Sequence, residues 1–199
     1  TKVWIGEMKK GPDAIKESVR NSLNKLNIGY IDLVLLHGPV SIVESWKTLE
    51  KLDVNVVRKI GVSNFNIEEL TLLLKNCRIV PYTNQIELSI FMQRDSLIDF
   101  CNTNGIIVTA HTFLGRGDVL ANRTVLELSE KYGNTIRVLV NYAMVKNYVV
   151  LFRSKNKYHI EELEREISDR VILDNNDISL LDNIHQTIPK TYFINYSKN

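Results

Sequence analysis

Residues 30–39 read Tyr-Ile-Asp-Leu-Val-Leu-Leu-His-Gly-Pro. A short apolar run of this kind, closed by glycine and proline, reads as a strand buried on both faces, the sort that parallel sheets contain. His37 falls at its C-terminal end, and Gly38-Pro39 stops it. The same cycle recurs on either side. Upstream, residues 12–26 carry Ile15, Val19, Leu23 and Leu26 at helical spacing. Pro12 opens that segment, with Asp13 and Glu17 early in it, which are helix-start signals. Downstream, the pattern predicts helix over 42–52, strand over 56–62, helix over 67–74, strand over 82–88, helix over 95–102 and strand over 106–110. Two helices follow over 125–132 and 135–146, broken at Gly133, then a last strand over 148–152. Further helices are predicted over 159–167 and 177–184, and residues 3–5 read as the tail of an earlier strand.

Strand and helix in alternation imply a parallel sheet with right-handed crossovers. Two architectures compete, an open doubly wound sheet and a (β/α)₈ TIM barrel. A doubly wound dinucleotide fold wants G-x-G-x-x-G after its first strand. Gly115-Arg116-Gly117 follows the fifth predicted strand instead and lacks the third glycine. Polar residues also stand at the ends of successive strands: Lys2, His37, Ser63 with Asn64, Gln85, His111, and Arg153 with Ser154. In a barrel those ends converge on one catalytic face. The pattern therefore favours the α/β barrel. The six strands predicted here cannot close an eight-stranded barrel, so the first two β/α units are expected to be lacking. Residues 1–199 read as one barrel domain, incomplete at its N-terminus, with weak periodicity and a loop-like tail over 185–199.

Composition narrows the function classes. A net charge of +2 gives no reason to invoke nucleic acid or an anionic membrane. No apolar run approaches a membrane span, and residues 1–10 have no apolar core of the kind a signal peptide carries. Cys77 and Cys101 lack the spacing of a disulfide framework or zinc site, which makes a reduced, cytoplasmic setting the expectation. Cys101 lies on a predicted amphipathic helix and reads as core rather than nucleophile. The four histidines have no metal-ligand spacing, and there is neither a Walker loop nor a GxSxG elbow.

The strand-end residues fall into strings with a family likeness. Thr1-Lys-Val-Trp4 resembles the strand end that holds the catalytic Lys of aldo-keto reductases, and YIDLVLLHGP (30–39) resembles that family's YiDLyliHwP. Residues 61–65 match GVSNF, 84–87 resemble NQvE, 110–115 (AHTFLG) resemble AYSPLG, and 151–154 (LFRS) take the place of IPKS. Order and spacing agree from the first residue to about Ile184. The resemblance implies reduction of aldehydes or ketones to alcohols by hydride transfer from NADP(H), with NAD(H) as a possible substitute. It implies a small-molecule carbonyl substrate, and neither nucleic acid nor membrane as a partner. In the family a Tyr protonates the developing alkoxide, a Lys paired with an Asp lowers the Tyr pKa, and a His orients the carbonyl oxygen.

By that resemblance Lys2 and His37 are the catalytic candidates. The Asp and Tyr belong to the second strand and the loop after it, expected upstream of Thr1, so the 199-residue chain alone is expected to be inactive. Ser63, Asn64 and Gln85 correspond to residues that hold the nicotinamide carboxamide, and their hydroxyl and amides supply suitable donors and acceptors. His111 stands where the family stacks a Tyr on the nicotinamide; Thr112, Leu114 and Arg116 are expected near the pyrophosphate. Arg153 and Ser154 take the 2′-phosphate positions, with Lys155 and Lys157 adding charge nearby. His159 and Leu163 replace the family's Arg and Asn, while Glu162 keeps the acidic partner of the adenine amine. Trp4 is a substrate-pocket candidate, and Gly38 replaces a frequent Trp there. Plainer readings stand beside these: a frayed terminal Lys2, His37 as a core residue, and Ser63 or Asn64 as a helix cap, although Asn66 could serve as that cap. The departures at Gly38, His111 and His159 leave a second function open, a cofactor-binding or regulatory protein without turnover. A truncated remnant with exposed sheet edges is a third.

Overall fold

The computed structural model describes residues 1–187 and 191–192. Its elements alternate: β1 (Lys2–Val3), α1 (Ile5–Lys9), α2 (Pro12–Leu26), β2 (Ile31–Leu36), α3 (Ile42–Leu49), β3 (Val57–Ser63), α4 (Ile67–Leu74), β4 (Thr83–Glu87), α5 (Asp95–Thr103) and β5 (Ile107–His111). A 3₁₀ segment, Gly115–Ala121, leads into α6 (Arg123–Tyr132) and α7 (Thr135–Val145), then β6 (Val149–Val150), α8 (Lys157–Ser168) and α9 (Asn175–Thr187). The strands form a six-stranded sheet in the order β1-β2-β3-β4-β5-β6. Four of its pairings, β1–β2, β2–β3, β3–β4 and β5–β6, are parallel. Sequential order in a parallel sheet is the product of repeated strand–helix–strand crossovers.

The chain divides into two compact units, one of residues 1–86 with 95–108, the other of 87–94 with the chain from Thr109 to Tyr192 among the described residues. In the first unit β2 supplies the centre of the core, with Val34 and Leu36 fully buried. The prediction of a strand covered on both faces holds from Val34 to Leu36 and fails at Asp32, which lies exposed near the start of the strand. Helix α2 has the predicted bounds: Pro12 opens it, and Asn27 closes it in the left-handed region with its N–H on the Leu23 and Asn24 carbonyls. Trp46 of α3 is 1% exposed, and its indole N–H reaches the Ile79 carbonyl and the Glu50 carboxylate. Helix α4 begins in a capping box: Asn66 Oδ1 accepts from Glu69 N at 2.9 Å, and Glu69 Oε2 accepts from Asn66 N at 2.7 Å. With the cap assigned to Asn66, neither Ser63 nor Asn64 performs that task.

The second unit packs Phe113, Val119, Val125, Val138, Leu139 and Leu181 into its core. Charged bonds tie its helices together. Arg137 of α7 pairs with Glu166 and Asp169 beside α8, and Lys131 of α6 pairs with Asp174 and Asp177 beside α9.

Several expectations are corrected. The strand tail predicted over 3–5 is borne out at Val3, the end of β1, but not at Trp4 and Ile5, because Ile5 already starts α1: the Trp4 carbonyl accepts from Glu7 N and Met8 N, and Met8 is buried. The strand predicted over 148–152 shortens to Val149–Val150. Helix α8 starts two residues earlier than the apolar pattern does, since Asn156 caps it by accepting from Tyr158 N. Helix α9 runs through His185 to Thr187, so the loop-like tail does not start at 185. The rest of that tail, apart from Thr191 and Tyr192, lies outside the described residues.

Gly61 shows how closely the inner strands approach. A Cβ there would stand 2.7 Å from Leu35 Cδ2 and 2.8 Å from the Thr83 carbonyl oxygen. Gly61→Ala is therefore expected to destabilise the fold by about 1–3 kcal/mol through overpacking. Urea unfolding checks this, and an unshifted midpoint would contradict it.

Candidate active site

Parallel register brings strand ends together. Lys2 lies opposite Leu35 and Val3 opposite Leu36, so His37, one residue further, donates its backbone N–H to the Val3 carbonyl at 3.1 Å. Ser63, the last residue of β3, lies opposite Gln85, the third residue of β4. In the first unit this gathers Lys2, Trp4, His37, Ser63, Asn64 and Gln85 along one rim.

The first strand is fixed, not frayed. Leu35 N donates to the Thr1 carbonyl at 3.0 Å, and Lys2 Nζ donates to Gln85 Oε1 at 2.7 Å. That side-chain bond links β1 to β4 over two intervening strands. Strands spaced by about 4.8 Å would hold them roughly 14 Å apart in a flat sheet. The sheet of this unit must therefore curve enough for the two side chains to meet on its inner side.

The rim is electrostatically lopsided. Among the described residues Lys2 forms no ion pair, and burial pulls its pKa below the ordinary lysine value. His37 is also held below the ordinary imidazole value, first by burial and then by the Lys2 charge. The imidazole is thus neutral near neutral pH, with one ring N–H to donate. Trp4, 48% exposed, stands edge-on to His37 with ring centroids 5.0 Å apart. Gly38 is buried next to it and adds no side chain.

Ser63, Asn64 and Gln85 form a polar cluster. Ser63 Oγ donates to the Gln85 carbonyl at 2.9 Å, and Asn64 Nδ2 donates to Ser63 Oγ at 3.1 Å and to the His37 carbonyl at 3.2 Å. Asn64 N donates to the Gln85 carbonyl at 2.9 Å. Asn64 sits in the left-handed region, φ 64°, where Asn is among the best-tolerated residues. Gln85 is 6% exposed, and with Oε1 bound to Lys2, its Nε2 has no partner among the described residues. An unpartnered amide donor beside a hydroxyl and a second amide suits a planar ligand that both donates and accepts.

The second unit holds the remaining candidates, less tightly grouped. His111 ends β5 with its Nδ1 2.9 Å from Thr112 Oγ1, and Thr112 turns the chain at φ 58°. Leu114 precedes the 3₁₀ segment, in which Arg116 is exposed and again left-handed, φ 56°. Ser154 Oγ accepts from Asn156 N at 3.0 Å and lies 3.4 Å from His159 Nδ1. Asn156 Nδ2 lies 3.4 Å from His159 Nε2. Arg153 is exposed, as are Lys155 and Lys157, and Glu162 is half-buried on α8. Geometry thus joins Ser154 to His159, while Arg116 is engaged by Tyr192, a residue sequence reading did not select. Asn156 was also missed, although an Asn just before a helical run is a usable cap signal. Cys101 is buried and its thiol is pushed up to about 11 by burial, which suits core rather than nucleophile. No helix among the described residues is long and apolar enough to cross a membrane.

The chain is 36% identical over 169 residues to a 9,11-endoperoxide prostaglandin H2 reductase of Trypanosoma cruzi, covering 81% of this chain and 59% of that protein. It is 35% identical over 159 residues to the methylglyoxal reductase DkgB of Yersinia pestis, covering 76% and 59%. The chain therefore spans less than two thirds of the length of these curated relatives. Among solved structures it resembles MGS-M4, an aldo-keto reductase from a Medee basin deep-sea metagenome library, with TM-score 0.90 and 26% identity over 100% of this chain and 75% of that one. It also resembles a mutant of Gox0644 solved in complex with NADPH, with TM-score 0.88 and 27% identity over 96% and 71%. The model of the Aldo/keto reductase family matches residues 1–185, and the chain belongs to that family.

Proposed function

We propose that this chain is the larger part of an NADP(H)-dependent reductase that converts small aldehydes or ketones to alcohols. The observation that carries this reading is the rim of the first unit, where His37, its pKa lowered by burial and by the Lys2 charge, lies beside Lys2, which forms no ion pair among the described residues, and the Ser63–Asn64–Gln85 cluster. The amide of Gln85 and its neighbours would hold the nicotinamide carboxamide, His111 would lie against the ring, and Thr112, Leu114 and Arg116 would meet the pyrophosphate. Arg153 and Ser154 would take the 2′-phosphate, with His159 and Glu162 near the adenosine. The bound cofactor supplies the hydride. His37, kept neutral, donates its ring N–H to the carbonyl oxygen and stabilises the charge that develops there. Lys2 lowers the pKa of the proton donor by its charge. Trp4 would form a wall beside His37, and Gly38 would add no side chain to the substrate pocket.

That proton donor and the carboxylate partner of Lys2 are assigned to two β/α units N-terminal to Lys2, which would complete a (β/α)₈ barrel. The absence of an ion pair at Lys2 among the described residues supports this assignment. Tyr30 and Tyr82 precede their strands, away from the rim, and do not fit the donor role. Free thiols at Cys77 and Cys101 support a cytoplasmic setting. A second reading, cofactor binding without turnover, is favoured by the Lys2–Gln85 hydrogen bond, which ties the lysine to a neutral partner.

Two outcomes follow. In an NMR titration His37 should keep its proton off to a pH below 6.5, and Lys2→Met should move its midpoint upward by removing the cation. The sign carries to folding: the unfolded chain protonates His37 first, so stability declines as pH falls through 6.5. A midpoint at or above the ordinary value would contradict the account. In the longer polypeptide, NADPH should be oxidised by a small aldehyde, and His37→Ala should reduce that rate on the order of 10²-fold or more. An unchanged rate would remove His37 from the mechanism.

A further inference from the structure

The loop that carries Arg116 is held by a residue far away in sequence. Arg116 Nη2 donates to the Tyr192 carbonyl at 3.3 Å, and its guanidinium carbon lies 5.4 Å from the Tyr192 ring centroid. The Tyr192 hydroxyl donates to Asp118 Oδ2. A single tyrosine thus engages both charged side chains that flank Gly117. The ring also lies against the loop backbone: a Cβ on Gly115 would stand 3.4 Å from Tyr192 Cε2. Tyr192 is itself anchored. Glu87, 1% exposed, accepts from Tyr192 N at 2.6 Å through one carboxylate oxygen and from Thr191 Oγ1 at 2.6 Å through the other. Charge-assisted bonds to a buried carboxylate are among the stronger ones available to a chain.

The loop needs such a brace. Arg116 and Gly117 take positive φ in succession, 56° and 105°, and one backbone turn, Gly117 N to the Leu114 carbonyl at 2.8 Å, closes them. A non-glycine residue persists in that region only where its surroundings determine it. Asp118 would also oppose an anion placed near Arg116, and the Tyr192 hydroxyl engages that carboxylate. Tyr192 takes one donor of Arg116 and leaves the others of its five for an anion.

We infer that Tyr192 is a positioning residue for the cofactor loop: anchored on Glu87, it holds Arg116 and Asp118 in the arrangement that receives a diphosphate. This rests on the reading of Arg116 as a cofactor contact. Loop order before binding is the source of the gain, since a preorganised loop loses less conformational freedom when ligand arrives.

The test compares Tyr192→Ala and Tyr192→Phe with the native 199-residue chain. Without cofactor, hydrogen exchange at the Gly117 amide should quicken about 10-fold in Tyr192→Ala. The Kd for NADPH should rise about 10-fold, while that for adenosine 2′-monophosphate, which lacks the diphosphate, should stay within about twofold. Tyr192→Phe keeps the ring and the carbonyl and should fall between. Unchanged exchange at Gly117 would overturn the inference, and so would equal weakening of both ligands, which would mark general damage. A native chain that binds no NADPH would sink the cofactor reading instead, and the exchange measurement would still decide whether Tyr192 orders the loop.

Discussion

The hydrogen bond from Lys2 to Gln85 is the constraint on which the rim depends. It joins the first strand to the fourth, and it is possible only because the sheet of that unit curves and its parallel register aligns the strand ends. The curvature requires close contact on the inner side, which is why Gly61 stands where a methyl group would meet both Leu35 and the Thr83 backbone. From the same register follow the His37 bond to Val3 and the pairing of Ser63 with Gln85. Packing sets the backbone, and the backbone sets which polar groups can meet.

Electrostatics then assigns tasks to those groups. Lys2 is a half-buried cation that finds an amide rather than a carboxylate, and desolvation of such a group is only partly offset by a neutral acceptor. Burial first, and the Lys2 charge second, hold the His37 pKa below the ordinary imidazole value. A neutral imidazole can give one hydrogen bond without carrying net charge, which suits a group that meets a carbonyl oxygen. Gln85 gives its oxygen to Lys2, and under the proposed function its Nε2 would serve the ligand.

Much of this was legible in the sequence, for identifiable reasons. The apolar run 31–36 and the capping residue Asn66 are local signals whose partners lie within a few residues, so pattern and chemistry sufficed. Lys2, His37, Ser63, Asn64 and Gln85 are legible because each falls in a strand-end string that resembles a known family's. What escaped lay outside local pattern. Helix α1 depends on the burial of Met8, and the brief β6 has too few residues to show a period. Tyr192 touches Glu87 across 105 positions of sequence, and nothing near either residue announces the contact. Arg116 was selected by its place in a motif, yet its observed partner comes from that distant segment.

The central proposal is that these 199 residues carry the cofactor contacts of a reductase site, with the proton donor assigned outside them. It is tested most directly by titrating the chain with NADPH and then following NADPH absorbance after a small aldehyde is added. The account predicts saturable binding, shown by a change in nicotinamide fluorescence, with no oxidation above the buffer background. Steady aldehyde-dependent oxidation by this chain alone, or failure to bind NADPH at all, would contradict it.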